Sequence, residues 1–162
     1  KWNDWDNDLF DAISDSLLKR VREFHYTIKG YDKAPSAVQK AKDNIRNANL
    51  DEYISIEEKN FFDTEKTSEG KLQVVFNPPY DERLDIHMEE FYKNIGDTLK
   101  KNYPGTNAWM ITANLEALKY VGLKPSRKIK LFNAGLEARL VKYEMYEGSK
   151  RTKFQVTNEP VE

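Results

Sequence analysis

The chain has no cysteine and only two histidines among its 162 residues. That excludes a disulfide framework and a thiolate metal site, and no metal centre is expected. The lack of cysteine fits a reducing cytoplasm, the compartment expected for it. Glycine is scarce too: seven residues, none arranged as Gly-x-Gly, so this stretch holds no glycine-rich ligand-cradling turn of the dinucleotide type. No apolar run approaches the roughly 20 residues that a membrane-spanning helix needs, and no secretory leader is visible. Neither sign of charge dominates, with 26 Lys and Arg against 27 Asp and Glu. A net charge of −1 argues against a self-sufficient nucleic-acid binder, because phosphate binding is carried by clustered cations.

What is present suffices for the core of one domain or part of one: 39% of residues are apolar and 12% aromatic. Lys1 stands where a methionine would open a gene product, which reads as a piece of something longer. Residues 1–148 are expected to form the C-terminal portion of one domain, and 149–162 a polar tail that frays.

Leu9, Phe10, Ile13, Leu17, Leu18 and Val21 recur at helical spacing behind a cap at Asn7 or Asp8. Trp2 and Trp5, just before them, are expected to pack where this segment meets a sheet. Tyr26–Asp32 reads as a strand ending in an acid. Pro35 then opens a helix with Ala37, Val38, Ala41, Ile45 and Ala48 on one stripe. Tyr53–Ile56 is a short edge strand. A later helix carries Met88, Phe91, Ile95 and Leu99 and ends near Asn102. Trp109–Ala113 is a buried strand, and Leu115, Leu118 and Val121 lie on a short helix stopped by Gly122. Ile129–Phe132 and Leu136–Tyr143 form a hairpin around Asn133-Ala134-Gly135. Alternating strands and helices with a closing hairpin define an α/β fold with a mainly parallel sheet.

The most informative stretch is Leu72–Tyr80. An apolar run stops abruptly at Asn77-Pro78-Pro79-Tyr80, as a buried strand does at the carboxyl edge of a sheet. The prolines remove two N–H donors and fix φ, so the carbonyls of Asn77 and Pro78 can stand clear of a ladder. The Asn77 amide oxygen is a second kind of acceptor and Tyr80 a flat stacking face. Such a set suits a planar exocyclic amine that must be held while its nitrogen attacks a carbon.

Asn-Pro-Pro-Tyr at a strand end resembles the motif of S-adenosylmethionine-dependent methyltransferases that act on amines conjugated to a ring or carbonyl. Adenine N6 in DNA, guanine N2 in RNA and protein glutamine share it. Across Trp2 to about Tyr146 the chain most resembles the bacterial THUMP-linked RNA guanine-N2 methyltransferases, the RlmL-like group. Some of these carry the label of adenine-specific DNA methylases. The likeness rests on Trp5-Asp6, Leu9-Phe10, Gly30-Tyr31-Asp32, Asn60–Asp63, Asn77–Tyr80, Glu82-Arg83-Leu84 and Lys130–Asn133. Asp81 and Ala134 replace glycines usual in that family.

The resemblance implies a Rossmann-like class I fold and methylation of large-subunit ribosomal RNA at guanine N2, with S-adenosylmethionine as methyl donor. Adenine-N6 DNA methylation, protein-glutamine methylation and a non-catalytic RNA-binding scaffold are the alternatives. It assigns Asn77, Pro78, Pro79 and Tyr80 to catalysis. Asp32 is assigned to the cofactor ribose, and Asn60 and Phe61 to its adenine. Tyr80, Arg83, Phe132 and Asn133 are assigned to the substrate. It also implies a first strand with a glycine-rich loop, missing here, between the Thr27–Tyr31 and Val74–Phe76 strands, and an upstream RNA-binding THUMP module. Lys124, Arg127, Lys128 and Lys130 form a basic cluster: a solvated face is the first reading, contact with RNA backbone the second.

Overall fold

In the computed structural model, which describes residues 3–79, 88–133 and 135–147, Asp6 starts the first helix. Its carboxylate accepts the Leu9 N–H at 3.0 Å, so the cap precedes both expected positions. Helix α1 (Asn7–Leu18) has the expected apolar stripe but no buried residue. Leu9, Phe10, Ile13 and Leu17 are all more than half exposed, and Val21 lies beyond the helix end. Trp5 packs on Phe10, with ring centroids 5.0 Å apart; Trp2 falls outside the described residues.

The described residues group into two units, Lys1–Lys59 and Asn60–Glu162. In the first, β1 (Ile28–Asp32) pairs in parallel with β2 (Ile54–Glu58), Gly30 opposite Ile56. Both strands start later than the sequence pattern suggests, at Ile28 and Ile54. Helix α2 (Pro35–Asn47) joins them, with Pro35 in its first turn, where its missing N–H costs nothing, and Val38 buried. Asn49 takes φ 54° at the turn into β2, a left-handed conformation that asparagine tolerates better than most residues.

The second unit is a four-stranded sheet in the order β3-β4-β6-β5. Strand β3 (Leu72–Phe76) runs parallel to β4 (Thr106–Thr112), with Phe76 opposite Met110. Strand β6 (Leu136–Glu144) is antiparallel to β4 and to β5 (Arg127–Asn133). The closing hairpin is thus as expected, and β5 points the same way as β3 and β4. Helix α3 (Met88–Asn102) lays Tyr92, Ile95 and Leu99 against Ala108 and Met110 of β4 and Val141 and Tyr143 of β6. A 3₁₀ turn, Ala117–Val121, completes this core and stops at Gly122, φ 65°. It begins after Leu115, so the short helix expected there is tighter and starts later.

Strand β3 is not the fully buried strand its composition suggests. Burial alternates along it, and Val75 is 72% exposed. β3 is bonded on one side only, to β4, and β1 on one side only, to β2. Each therefore keeps a free edge among the described residues, as β2 and β5 do.

Candidate active site

Two prolines end β3 because neither can donate to a ladder. Asn77 is left exposed at the strand's carboxyl end, Pro78 is buried and Pro79 half-buried. No side-chain hydrogen bond engages Asn77 among the described residues, so its amide faces solvent with both functions available. Tyr80 and Arg83 lie outside the described residues. At the level of this tip, on neighbouring β4, the side chain of Thr112 is wholly buried. Its hydroxyl is 2.6 Å from the Tyr92 hydroxyl and accepts the Asn114 N–H at 3.1 Å. The Asn114 side chain in turn accepts the Ala117 N–H at 3.0 Å. The carboxyl edge of the sheet is thus pinned to α3 by a buried polar pair and to the 3₁₀ turn by part-buried bonds through Asn114. Burial raises the Tyr92 pKa, partly offset by the bond to Thr112, so the hydroxyl stays protonated.

Asn60 and Phe61 lie where the chain enters the second unit. The Asn60 side-chain oxygen accepts the Phe62 N–H at 3.2 Å and caps the 3₁₀ turn Phe61–Asp63. One lone pair of that exposed oxygen is therefore committed, and a second remains for a ligand donor. Phe61 is half-buried and stacks near-parallel with Phe76, centroids 5.1 Å apart, and with Tyr103, 6.1 Å apart. The ring is thus part of the core as well as a candidate contact, which its sequence position alone did not indicate. Thr64 fixes the exit of this turn: its hydroxyl receives the Tyr103 O–H at 2.5 Å, and its carbonyl accepts the Asn102 amide at 2.9 Å.

In the first unit Asp32 ends β1 exposed, and one carboxylate oxygen accepts the Ala34 N–H at 2.8 Å. This Asx turn substitutes for the side-chain cap that Ala34 cannot provide to α2. Its second oxygen has no partner among the described residues and is free to accept a hydroxyl.

On the outer hairpin Phe132 is 65% exposed, with the Lys130 ammonium 5.0 Å from its ring centroid. Asn133 ends β5, at the same edge of the sheet as Asn77. Tyr92, Thr112 and Asn114 were missed by the sequence reading. Tyr92 continues the stripe of Ile95 and Leu99 at helical spacing, a signal that was there; nothing local marked Thr112 as its partner.

Among the described residues no group of three His, Cys, Asp or Glu could hold a metal, and no helix is long and apolar enough to cross a membrane.

The fold is that of S-adenosylmethionine-dependent methyltransferases. A possible methylase from Clostridium difficile 630 superposes with a TM-score of 0.76 at 25% identity, over 93% of this chain and 40% of that one. SMU.472, solved in complex with SAH, gives 0.77 at 20% identity, over 91% and 40%. The model of the UPF0020, RMKL-like methyltransferase-domain family matches residues 9–142, and the chain belongs to that family. The ribosomal RNA large subunit methyltransferase K/L of Syntrophotalea carbinolica is 32% identical over 147 residues, 83% of this chain and 21% of its own length. The chain spans between about a fifth and two fifths of the length of the curated relatives it matches first.

Proposed function

We infer that the full protein transfers a methyl group from S-adenosylmethionine to the exocyclic amine of guanine N2 in large-subunit ribosomal RNA. The observation that carries this is Asn77: an exposed, unengaged amide at the carboxyl end of β3, directly before a buried proline. The family membership and the ribosomal RNA relatives support the substrate class.

In this reading the Asn77 side-chain oxygen and the Pro78 carbonyl accept the two amine hydrogens and turn the nitrogen lone pair toward the methyl. Pro79 keeps the loop from folding back into a ladder. Tyr80 stacks on the base, Arg83 contacts the substrate beside it, and Phe132 and Asn133 border the substrate at the same edge. The target nucleotide is flipped out of its helix, at a cost of roughly a few kcal/mol. S-adenosylmethionine, when bound, would supply an already activated methyl and leave as the neutral thioether, and the surplus amine proton would pass to solvent; the protein's share is positioning and desolvation, and no general base of unusual pKa is demanded. Toward that cofactor, the free Asp32 oxygen would accept from a ribose hydroxyl, the remaining Asn60 lone pair from the adenine amine, and Phe61 would meet the ring. An RNA-binding THUMP module in the full protein and residence in the cytoplasm belong to the same proposal.

Mass spectrometry of nucleosides from a deletion strain tests it. Loss of N2-methylguanosine from ribosomal RNA is expected. Intact ribosomal RNA with loss of N6-methyladenine from DNA would transfer the protein to the DNA-modifying alternative.

A further inference from the structure

Between Glu116 and Glu137 the chain carries Lys119, Lys124, Arg127, Lys128 and Lys130 and not one acid. In a chain of net charge −1 this is a local excess of positive charge, not a reflection of composition. The fold puts most of it on one place. β5 is the outer strand of the sheet, and Lys124, Arg127, Lys128 and Lys130 are all exposed on it or just before it. Successive side chains alternate between faces, so Lys128, Lys130 and Phe132 form one row.

Among the described residues Arg127 and Lys128 have no ion-pair partner. Lys130 is 2.5 Å from Glu137, but Glu137 also holds Arg139 at 2.6 Å, so two cations share one carboxylate. The Lys130 contact, then Arg139, lowers the Glu137 pKa, and the acid stays charged without cancelling the patch. The row ends in exposed Phe132. Lysines on an edge strand also keep it from pairing with other chains, but that duty calls for no exposed aromatic at the strand's end. Cations leading to a stackable ring are what a single-stranded nucleic acid needs: charge for phosphates, a flat face for a base.

The direction of the strand matters as well. β5 is parallel to β3 and β4, so the row runs toward the edge of the sheet where Asn77 stands, three strand spacings or about 14 Å across. We propose that the edge strand β5, through exposed Lys128 and Lys130 on one face and Arg127 at its start on the other, holds the phosphate backbone of the substrate RNA next to the methylated nucleotide. This rests on the reading of the site as an RNA methyltransferase and names the surface that guides its substrate.

The test uses the full-length protein and a fluorescein-labelled oligoribonucleotide of mixed sequence, with anisotropy read across a salt series. The variant R127Q/K128Q/K130Q is expected to bind roughly tenfold or more weakly near physiological salt. Its slope of log affinity against log salt should be shallower by about 2, as for three lost phosphate contacts on a single strand. Its affinity for S-adenosylmethionine, read by calorimetry, should be unchanged. Glu137→Gln frees Lys130 and Arg139 and should bind RNA several-fold more tightly, a direction that a folding defect cannot mimic. An unchanged slope in the triple variant, or no gain in Glu137→Gln, while the wild type binds and methylates RNA, overturns this surface and leaves the RNA reading standing. A wild-type protein that neither binds nor methylates RNA overturns both.

Discussion

Tyr92 and Thr112, twenty residues apart, meet in a buried hydrogen bond of 2.6 Å at the carboxyl edge of the sheet, on the strand next to Asn77. The bond ties α3 to β4 where β4 leaves the sheet. Tyr92→Phe should cost about 1 kcal/mol of stability in urea unfolding, the value of one buried bond. Thr112→Val also removes the acceptor for the Asn114 N–H and should cost about 2 kcal/mol. Equal losses would show that the second bond contributes nothing.

Tyr143 is the opposite case. Its ring is fully buried, but among the described residues its hydroxyl has no hydrogen-bond partner. Burial, with Tyr92 adding to it, pushes its pKa up to about 12 from an ordinary 10.0. Between those values the unfolded chain has shed its proton and the folded chain has not. Stability from this group is therefore intact below pH 10 and falls as pH rises toward 12. Tyr143→Phe should gain about 1 kcal/mol at neutral pH, because it removes an unsatisfied hydroxyl. The alkaline loss should be reduced but not abolished, since Tyr92 shifts in the same sense. Thermal melts at pH 7 and pH 11 check both.

At Gly96 a Cβ would lie 1.8 Å from the carbonyl oxygen of Val121. Helix α3 and the 3₁₀ turn touch backbone to side there, and only glycine fits. Gly96→Ala should cost about 3 kcal/mol or more, at the upper end of core overpacking, read as a lowered denaturation midpoint. A change within about 0.5 kcal/mol, the range of an ordinary surface substitution, would show that the two elements part easily.

Asp32→Asn keeps an oxygen for the Ala34 turn but gives up the charge and the second carboxylate oxygen. In the full protein, calorimetry should find S-adenosylmethionine bound about tenfold or more weakly, as for one lost charge-assisted bond, with the melting temperature nearly unchanged. Equal affinity would remove Asp32 from the cofactor site.

Elements that announce themselves locally were legible in the sequence. Pro35 opens α2 because its fixed φ suits a first turn; the prolines after Asn77 end β3; Gly122 stops the 3₁₀ turn with a left-handed φ. The strand between the hairpin's turn and Glu144 could be read from its pattern alone. What the sequence left open were matters of partnership. The stripe of α1 signals an apolar face but not what it meets, and in the structure Leu9 and Leu17 remain exposed. Asn60 could be read as a ligand acceptor, yet its side chain also caps the turn that follows. Phe61 could be read as a ring contact, yet it stacks on Phe76 and Tyr103. The Asn60 cap is a local bond, but the partners of Phe61 come from distant parts of the chain, and no local periodicity encodes them.

The account turns on Asn77, and methyl transfer by Asn77→Ala in the full-length protein tests it most directly. With unmodified ribosomal RNA, single-turnover transfer is expected to fall by about 10² to 10³, as when one oriented hydrogen-bonding group is removed from a reacting centre. Affinity for S-adenosylmethionine should stay within about twofold, since the amide is assigned to the amine and not to the cofactor. Transfer at the wild-type rate would contradict the role given to the strand tip.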